Sequence, residues 1–333
     1  MAERTSIGAP GKRVVPNPSA SVMLLDPTNE LLLLHRVQTS TAFPSAHVFP
    51  GGGLSEHHEQ VPAVDSPARH IDGPAYRLAA IRETFEESGI LLALTATGQL
   101  LNLPDDVREE GRKAIHGDKV RFTEWVKSMG GIPDVDGLIP FTRWITPTTL
   151  AKRFTTQMYV YMLPLSSNLR KESIVPTHDG GLEHTAATFA PVRSWLDRSA
   201  SGEIILFSPQ LFLVTLLGQI FTGGTDYVAQ RQRLVEFLNT TPTGPSGHAT
   251  SSIPWKDKVI SPARMPHVRA DGRFTLRLDH PGPELAHTAR GGDWDRVAII
   301  RSTKRGPTDN EIRWRRDVVD SDGNPMEIRG AKL

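Results

Sequence analysis

The chain has 333 residues, with 38 Lys plus Arg against 37 Asp plus Glu, 38% hydrophobic residues, 28 Gly, 26 Pro and no cysteine. That length suits one large domain with additions or two small domains, and a charge balance this even argues against a nucleic-acid partner, which calls for a basic excess or stripe. Zero cysteine excludes a disulfide framework, Cys-ligated zinc, an iron–sulfur cluster and a thiolate nucleophile.

Residues 1–16 are rich in Pro, Gly and charge without periodicity, as in a flexible arm. An apolar core is missing from Met1-Ala2-Glu3-Arg4-Thr5, so no secretory signal is expected. Ser19 to Asp26 and Leu31 to Val37, joined by Pro27-Thr28-Asn29-Glu30, predict a hairpin. Phe43 to Pro74 reads as loop; Ala75 to Ser88 predicts a helix that Pro74 starts and Gly89 ends. Strands are expected at Phe141 to Ile145, Met158 to Leu163 and Thr185 to Val192, then helices near Ser194 to Arg198, Ser208 to Phe221 and Thr225 to Asn239. The run Leu211 to Phe221 is too short and too interrupted to span a bilayer and reads as a buried helix. Pro, Gly, Ser and Thr crowd residues 241–254, the expected linker. Residues 255–330 carry strand-like runs such as Arg273 to Leu278 and Arg296 to Ile300, in which arginine alternates with apolar residues as on strands with one wet face.

The most specific feature is Ala79-Ala80-Ile81-Arg82-Glu83-Thr84-Phe85-Glu86-Glu87-Ser88-Gly89-Ile90. At about 100° per residue, Glu83, Glu86 and Glu87 share one helical face while Leu78, Ile81 and Phe85 occupy the other. Clustered carboxylates suit hard divalent cations with oxygen ligands, whereas an arbitrary Glu-Glu pair is more often a solvated acidic face. Upstream stands Phe49-Pro50-Gly51-Gly52-Gly53-Leu54-Ser55-Glu56, a glycine turn over which backbone can approach a neighbour closely.

Together these segments resemble the Nudix box, G-x5-E-x7-R-E-U-x-E-E-x-G-U with U aliphatic, except that Thr84 stands at a U position. With seven residues intervening before Arg82, as the box requires, the position reached is Pro74 and not a glutamate, so an insertion of about residues 55–74 interrupts the box, with Glu56 or Glu59 supplying the missing acid. Phe43-Pro44-Ser45-Ala46-His47-Val48-Phe49-Pro50-Gly51-Gly52, Arg143-Trp144-Ile145-Thr146-Pro147, Arg153-Phe154 and Ser208-Pro209-Gln210 are similar to the peroxisomal coenzyme A diphosphatase subgroup of that family. The resemblance covers about residues 17–225.

It implies a Nudix-type α/β/α sandwich around a mixed β-sheet over residues 17–240, followed by a β-rich extension at 255–330 of unassigned role. It also implies water attack on one phosphorus of a pyrophosphate, with Mg2+ or Mn2+ as cofactor. Glu86 and Glu87 would be metal ligands, Glu83 a ligand or general base, Arg82 an orienting group, and Gly51, Gly52 and Gly53 part of the metal or phosphate environment. Glu183 is the candidate for a further ligand, ahead of His178 and Asp179. His47, His57 and His58 read as exposed loop histidines; Arg36 and Arg153 as phosphate contacts or plain surface cations; Tyr159 and Tyr161 as sheet packing. The ending Ala331-Lys332-Leu333 fits a peroxisomal address read by an import receptor. Coenzyme A or an acyl-CoA is therefore the expected substrate, with NADH, ADP-ribose or capped RNA, or a catalytically weak nucleotide-binding module, as the alternatives. Oligomeric state stays open.

Overall fold

The computed structural model describes residues 14–37, 45–165, 175–177, 184–240, 247–303 and 306–328. Glu183, His178, Asp179 and Ala331-Lys332-Leu333 lie outside the described residues. No described helix is long and apolar enough to cross a membrane.

Strand β1 (Asn17–Leu25) is the spine. It pairs in parallel with β8 (Phe154–Met162) along its whole length and antiparallel with β2 (Leu31–Arg36) and β4 (Gly51–Gly53). The expected hairpin exists, but β1 belongs mainly to β8. Flanking strands β3 (His47–Val48), β7 (Ile139–Ile145), β9 (His184–Ala190) and β10 (Val259–Ile260) complete a mixed sheet of eight described strands. β1 is almost continuously buried because both faces of the sheet are covered, which its unbroken apolar run requires.

Alternate residues serve the two faces. Val22, Leu24 and Tyr159 meet α1 (Pro74–Ser88) through Ile81 and Phe85, and Phe85 stacks on Trp125 with ring centroids 5.1 Å apart. Met23, Met158 and Val160 meet α4 (Val192–Ala200), α5 (Ser208–Gly218) and α6 (Tyr227–Asn239) through Trp195, Phe212 and Leu234. These are the three layers of an α/β/α sandwich. In β7, Thr142 adopts φ of +60° where the ladder shifts register. This bulge lets Phe141 and Trp144, three residues apart, both face the second core and turns Arg143 to the opposite side.

Between the short paired strands β5 (Ala93–Thr95) and β6 (Gly131–Pro133) lie α2 (Asp105–His116) and α3 (Phe122–Ser128), which pack beside α1.

The C-terminal region is β-rich as expected: β11 (Ala263–Val268), β12 (Phe274–Leu278), β13 (Asp293–Thr303) and β14 (Gly306–Trp314) form an antiparallel meander. Composition separates it from the rest, but packing does not. β10 enters the main sheet parallel to β7, and Trp255 is fully buried among Phe141, Phe212 and Phe237. Leu278, Ala298 and Ile312 join that same core. Several arginines in or beside these strands are buried rather than on a wet face: Arg273, just before β12, donates to Glu311 at 2.6 Å, and Arg296 pairs with Asp293 at 2.9 Å over the Trp314 ring.

Candidate active site

Helix α1 begins with Pro74 and closes on Gly89 in the left-handed conformation, as its boundary residues predict. Its apolar side is anchored by Ile81 and Phe85, which are fully buried. The opposite side therefore projects Glu83, Glu86 and Glu87 toward β4. The close approach has a cost that only glycine avoids. A Cβ on Gly52 would stand 2.4 Å from Glu83 Oε2, and one on Gly51, at φ of +153°, would stand 2.3 Å from Ala20 O. The Gly51 N–H donates to Glu87 Oε2 at 2.7 Å, tying strand and helix together at the site.

Arg82 is the hub. Its Nε donates to Glu59 Oε1 at 2.7 Å, its Nη1 to both Glu83 Oε1 and Glu86 Oε1 at 2.9 Å, and its Nη2 to Gly53 O at 2.9 Å. Being 3% exposed, it is an orienting group and not a substrate contact. Burial alone would lower its pKa; Glu83, Glu59 and Glu86 more than reverse that and raise it. Burial pushes the Glu83 carboxyl up to about 7, with Arg82 opposing and the charges of Glu86 and Glu59 adding to the rise. One guanidinium thus serves Glu59, Glu83 and Glu86, with Glu87 alongside, and the cluster keeps an anionic excess.

The contact with Arg82 selects Glu59 over Glu56 as the acid of the interrupted box. Glu59 is buried, and its second oxygen accepts the Ser55 N–H at 2.7 Å. Five residues separate Gly53 from Glu59, the usual spacing, whereas twenty-two separate Glu59 from Arg82 in place of seven. All of the extra length therefore lies after Glu59, and the glycine-to-glutamate half of the box is intact. Counting forward from Gly53 would have found it.

Glu86 and Glu87 have further neighbours that the sequence did not advertise. His116 of α2 meets Glu86 Oε2 through Nδ1 at 3.1 Å. Arg112, one turn earlier on α2, donates to the Glu86 carbonyl from Nη2 at 2.8 Å and Nε at 3.2 Å. His184 of β9, fully buried, places Nε2 3.7 Å from Glu87 Oε1, and Arg36 lies opposite His184 in the ladder.

Other expectations change. Arg153 is neither a surface cation nor a phosphate contact: it is 1% exposed and holds Thr146 O, Val14 O and, at 2.6 Å, Glu284 Oε1. His47 is a partly buried residue of β3 and not a loop residue, while His57 is partly buried and His58 buried in the loop after β4. His57, His58 and Asp118 bring candidate ligand atoms within 4.8 Å of one another. However, His58 Nδ1 accepts the Phe122 N–H at 3.1 Å, so the neutral ring carries its proton on Nε2 and presents it to Asp118 at 3.2 Å. No lone pair on that ring is left for a cation. Tyr159 and Tyr161 are sheet residues as expected, their hydroxyls bonded to Asp72 and to Asp134.

The sandwich, the glycine strand under a helix bearing R-E-x-x-E-E, and the arginine hub are those of the Nudix fold, and residues 63–215 match the family described as the NUDT19 Nudix domain. A Nudix hydrolase from Alicyclobacillus acidocaldarius shares the fold with a TM-score of 0.51 at 23% identity, over 65% of this chain and 96% of that one. Within the class, the chain is similar to acyl-coenzyme A diphosphatase NUDT19 of Gallus gallus, 29% identical over 255 residues, covering 62% of this chain and 64% of the relative. The Xenopus laevis protein of the same name is 28% identical over 191 residues, covering 43% and 50%. The chain thus spans only 50–64% of the length of the curated relatives it matches.

Proposed function

We propose that the protein is a divalent-metal-dependent Nudix hydrolase that cleaves the pyrophosphate of coenzyme A or an acyl-CoA. The products would be 4′-phosphopantetheine species and adenosine 3′,5′-bisphosphate. The observation that carries this reading is the carboxylate cluster around Arg82, an anionic excess held against the backbone of Gly51 to Gly53. Likeness to the acyl-CoA diphosphatases supports the choice of substrate.

The donors fit Mg2+ or Mn2+: they are hard carboxylate oxygens, and four of them gather around one guanidinium, which favours a divalent ion. Glu86 and Glu87 would hold it, with Glu83 as a further ligand or as the base that takes a proton from the attacking water. When bound, the ion supplies neutralisation of phosphate oxygens and a lowered pKa for water. The chain's own contribution is preorganisation. Arg82 fixes two carboxylates at once, Glu59 fixes Arg82, and the Gly51 N–H fixes Glu87, so the ligands need little rearrangement when substrate arrives. Glu183 remains our candidate for a further ligand.

The test is hydrolysis of CoA, acyl-CoAs, NADH, ADP-ribose and capped RNA with and without Mg2+ or Mn2+, the products being identified by mass. The expected result is metal-dependent release of adenosine 3′,5′-bisphosphate from CoA species well above the other rates. Comparable rates on all substrates would remove the CoA assignment, and no turnover would leave a nucleotide-binding module. We also propose peroxisomal import through Ala331-Lys332-Leu333; its deletion should move the protein to the cytosol with turnover unchanged, and unchanged import would refute the address.

A further inference from the structure

Glu86 is held at three atoms, and two of the three holds come from outside the Nudix helix. Arg82 takes Oε1 at 2.9 Å. On α2, Arg112 and His116 are four residues apart and so share a helical face. From that face Arg112 takes the Glu86 carbonyl and His116 takes Oε2 at 3.1 Å. Glu83 packs on Gly52, and Glu87 accepts the Gly51 N–H and lies 3.7 Å from His184 Nε2.

We propose that His116 is a positioning residue for the hydrolytic site: by donating from Nδ1 to Glu86 Oε2 it fixes the plane of that carboxylate, so that the lone pairs left over point into the site. The inference rests on the metal-dependent reading above. A ligand carboxylate bonded on one oxygen only can rotate about its last torsion, whereas one bonded on both presents a fixed direction, and loss of such outer partners typically weakens metal binding about 10- to 100-fold. Arg112 keeps the two helices in register, so the His116 ring needs no movement to reach Glu86. The His116 side chain is 53% exposed. Its replacement therefore opens no cavity, and the variants should fold as the parent does.

His116→Leu and His116→Asn in the full chain test the proposal, because the Asn Nδ2 occupies nearly the place of the His Nδ1. Mn2+ affinity is read by electron paramagnetic resonance, kcat and KM on an acyl-CoA are measured at saturating Mn2+, and the fold is checked by thermal melting. The expected result is about tenfold weaker Mn2+ binding for His116→Leu with KM unchanged, and recovery of most of that loss in His116→Asn. Wild-type Mn2+ affinity in His116→Leu, equal loss in both variants, or a change confined to KM would overturn it. If the parent protein itself neither binds Mn2+ nor hydrolyses acyl-CoA, the functional reading falls and takes this inference with it. A competent parent with a silent His116→Leu removes the inference alone.

Discussion

Two groups of charged residues in this molecule are buried and built on arginine, and they differ in what is left over. Around α1, Arg82 is shared by Glu59, Glu83 and Glu86, with Glu87 beside them. In the C-terminal meander the ratio is reversed. Glu311 accepts from Arg273 on one oxygen and Arg313 on the other, and Asp279 accepts from Arg277 and Arg315. Arginine planes also lie on rings there, Arg315 over Trp294 and Arg264 over Phe274. The meander closes its charges on themselves and so stabilises a fold. The α1 cluster gathers four carboxylates around one guanidinium, the arrangement on which the proposed cation site rests.

Four experiments sharpen or break that contrast. Glu59→Ala should have the largest effect, about 3–5 kcal/mol of stability by urea denaturation together with loss of hydrolysis, since it strips a buried guanidinium of its best-aligned partner. An unchanged midpoint would mean that Glu83 and Glu86 suffice to balance Arg82. Glu86→Gln should lower metal-dependent turnover at least 100-fold, about 2.7 kcal/mol in barrier, with little change in melting temperature. Retained turnover in a folded variant would remove Glu86 from the mechanism. Glu311→Gln should do the opposite, costing about 2 kcal/mol of stability while kcat per folded molecule stays at the parent value. A selective loss of kcat would mean that the meander takes part in turnover.

The smallest effect concerns pH. Burial holds the His47 ring down to about 4, with His35 and Arg198 adding to the drop, and burial with Arg143 does the same to His70. Both rings are neutral in the fold where the unfolded chain is already protonated. Stability should therefore be fully present above pH 6.5 and fall as pH drops toward 4, by about 1–2 kcal/mol per ring after discounting for partial solvent contact. His70→Gln should flatten part of that slope in denaturation curves taken across the window; an unaltered slope would exclude His70 as a source.

The sequence makes the Nudix helix legible because every local signal there agrees: Pro74 and Gly89 bound it, Ile81 and Phe85 anchor it, and three acids face away. The strands β7 to β9 are legible for the same reason. α2 is not, and the cause lies in its buried face. Arg108, Gly111, Arg112 and Ile115 are its buried residues, at the i, i+3, i+4, i+7 spacing of a core-facing stripe, but two of the four are arginines. Hydrophobic periodicity is blind to a guanidinium that is buried in order to cap another helix. With α2 unread, His116 could not be placed beside Glu86. Arg153 shows the converse failure: a charged residue looks like a surface residue until three acceptors are found around it.

The parallel pairing of β10 with β7 has a practical consequence. A chain stopped at Thr240, where composition suggests cutting, would keep the whole Nudix box yet leave β7 without its strand partner at Arg143 and Trp144. It would also uncover the rings of Phe141 and Phe237 that Trp255 now covers. Such a fragment would offer neighbouring copies both a strand to join and an apolar surface to bury, and is expected to self-associate where the full chain does not.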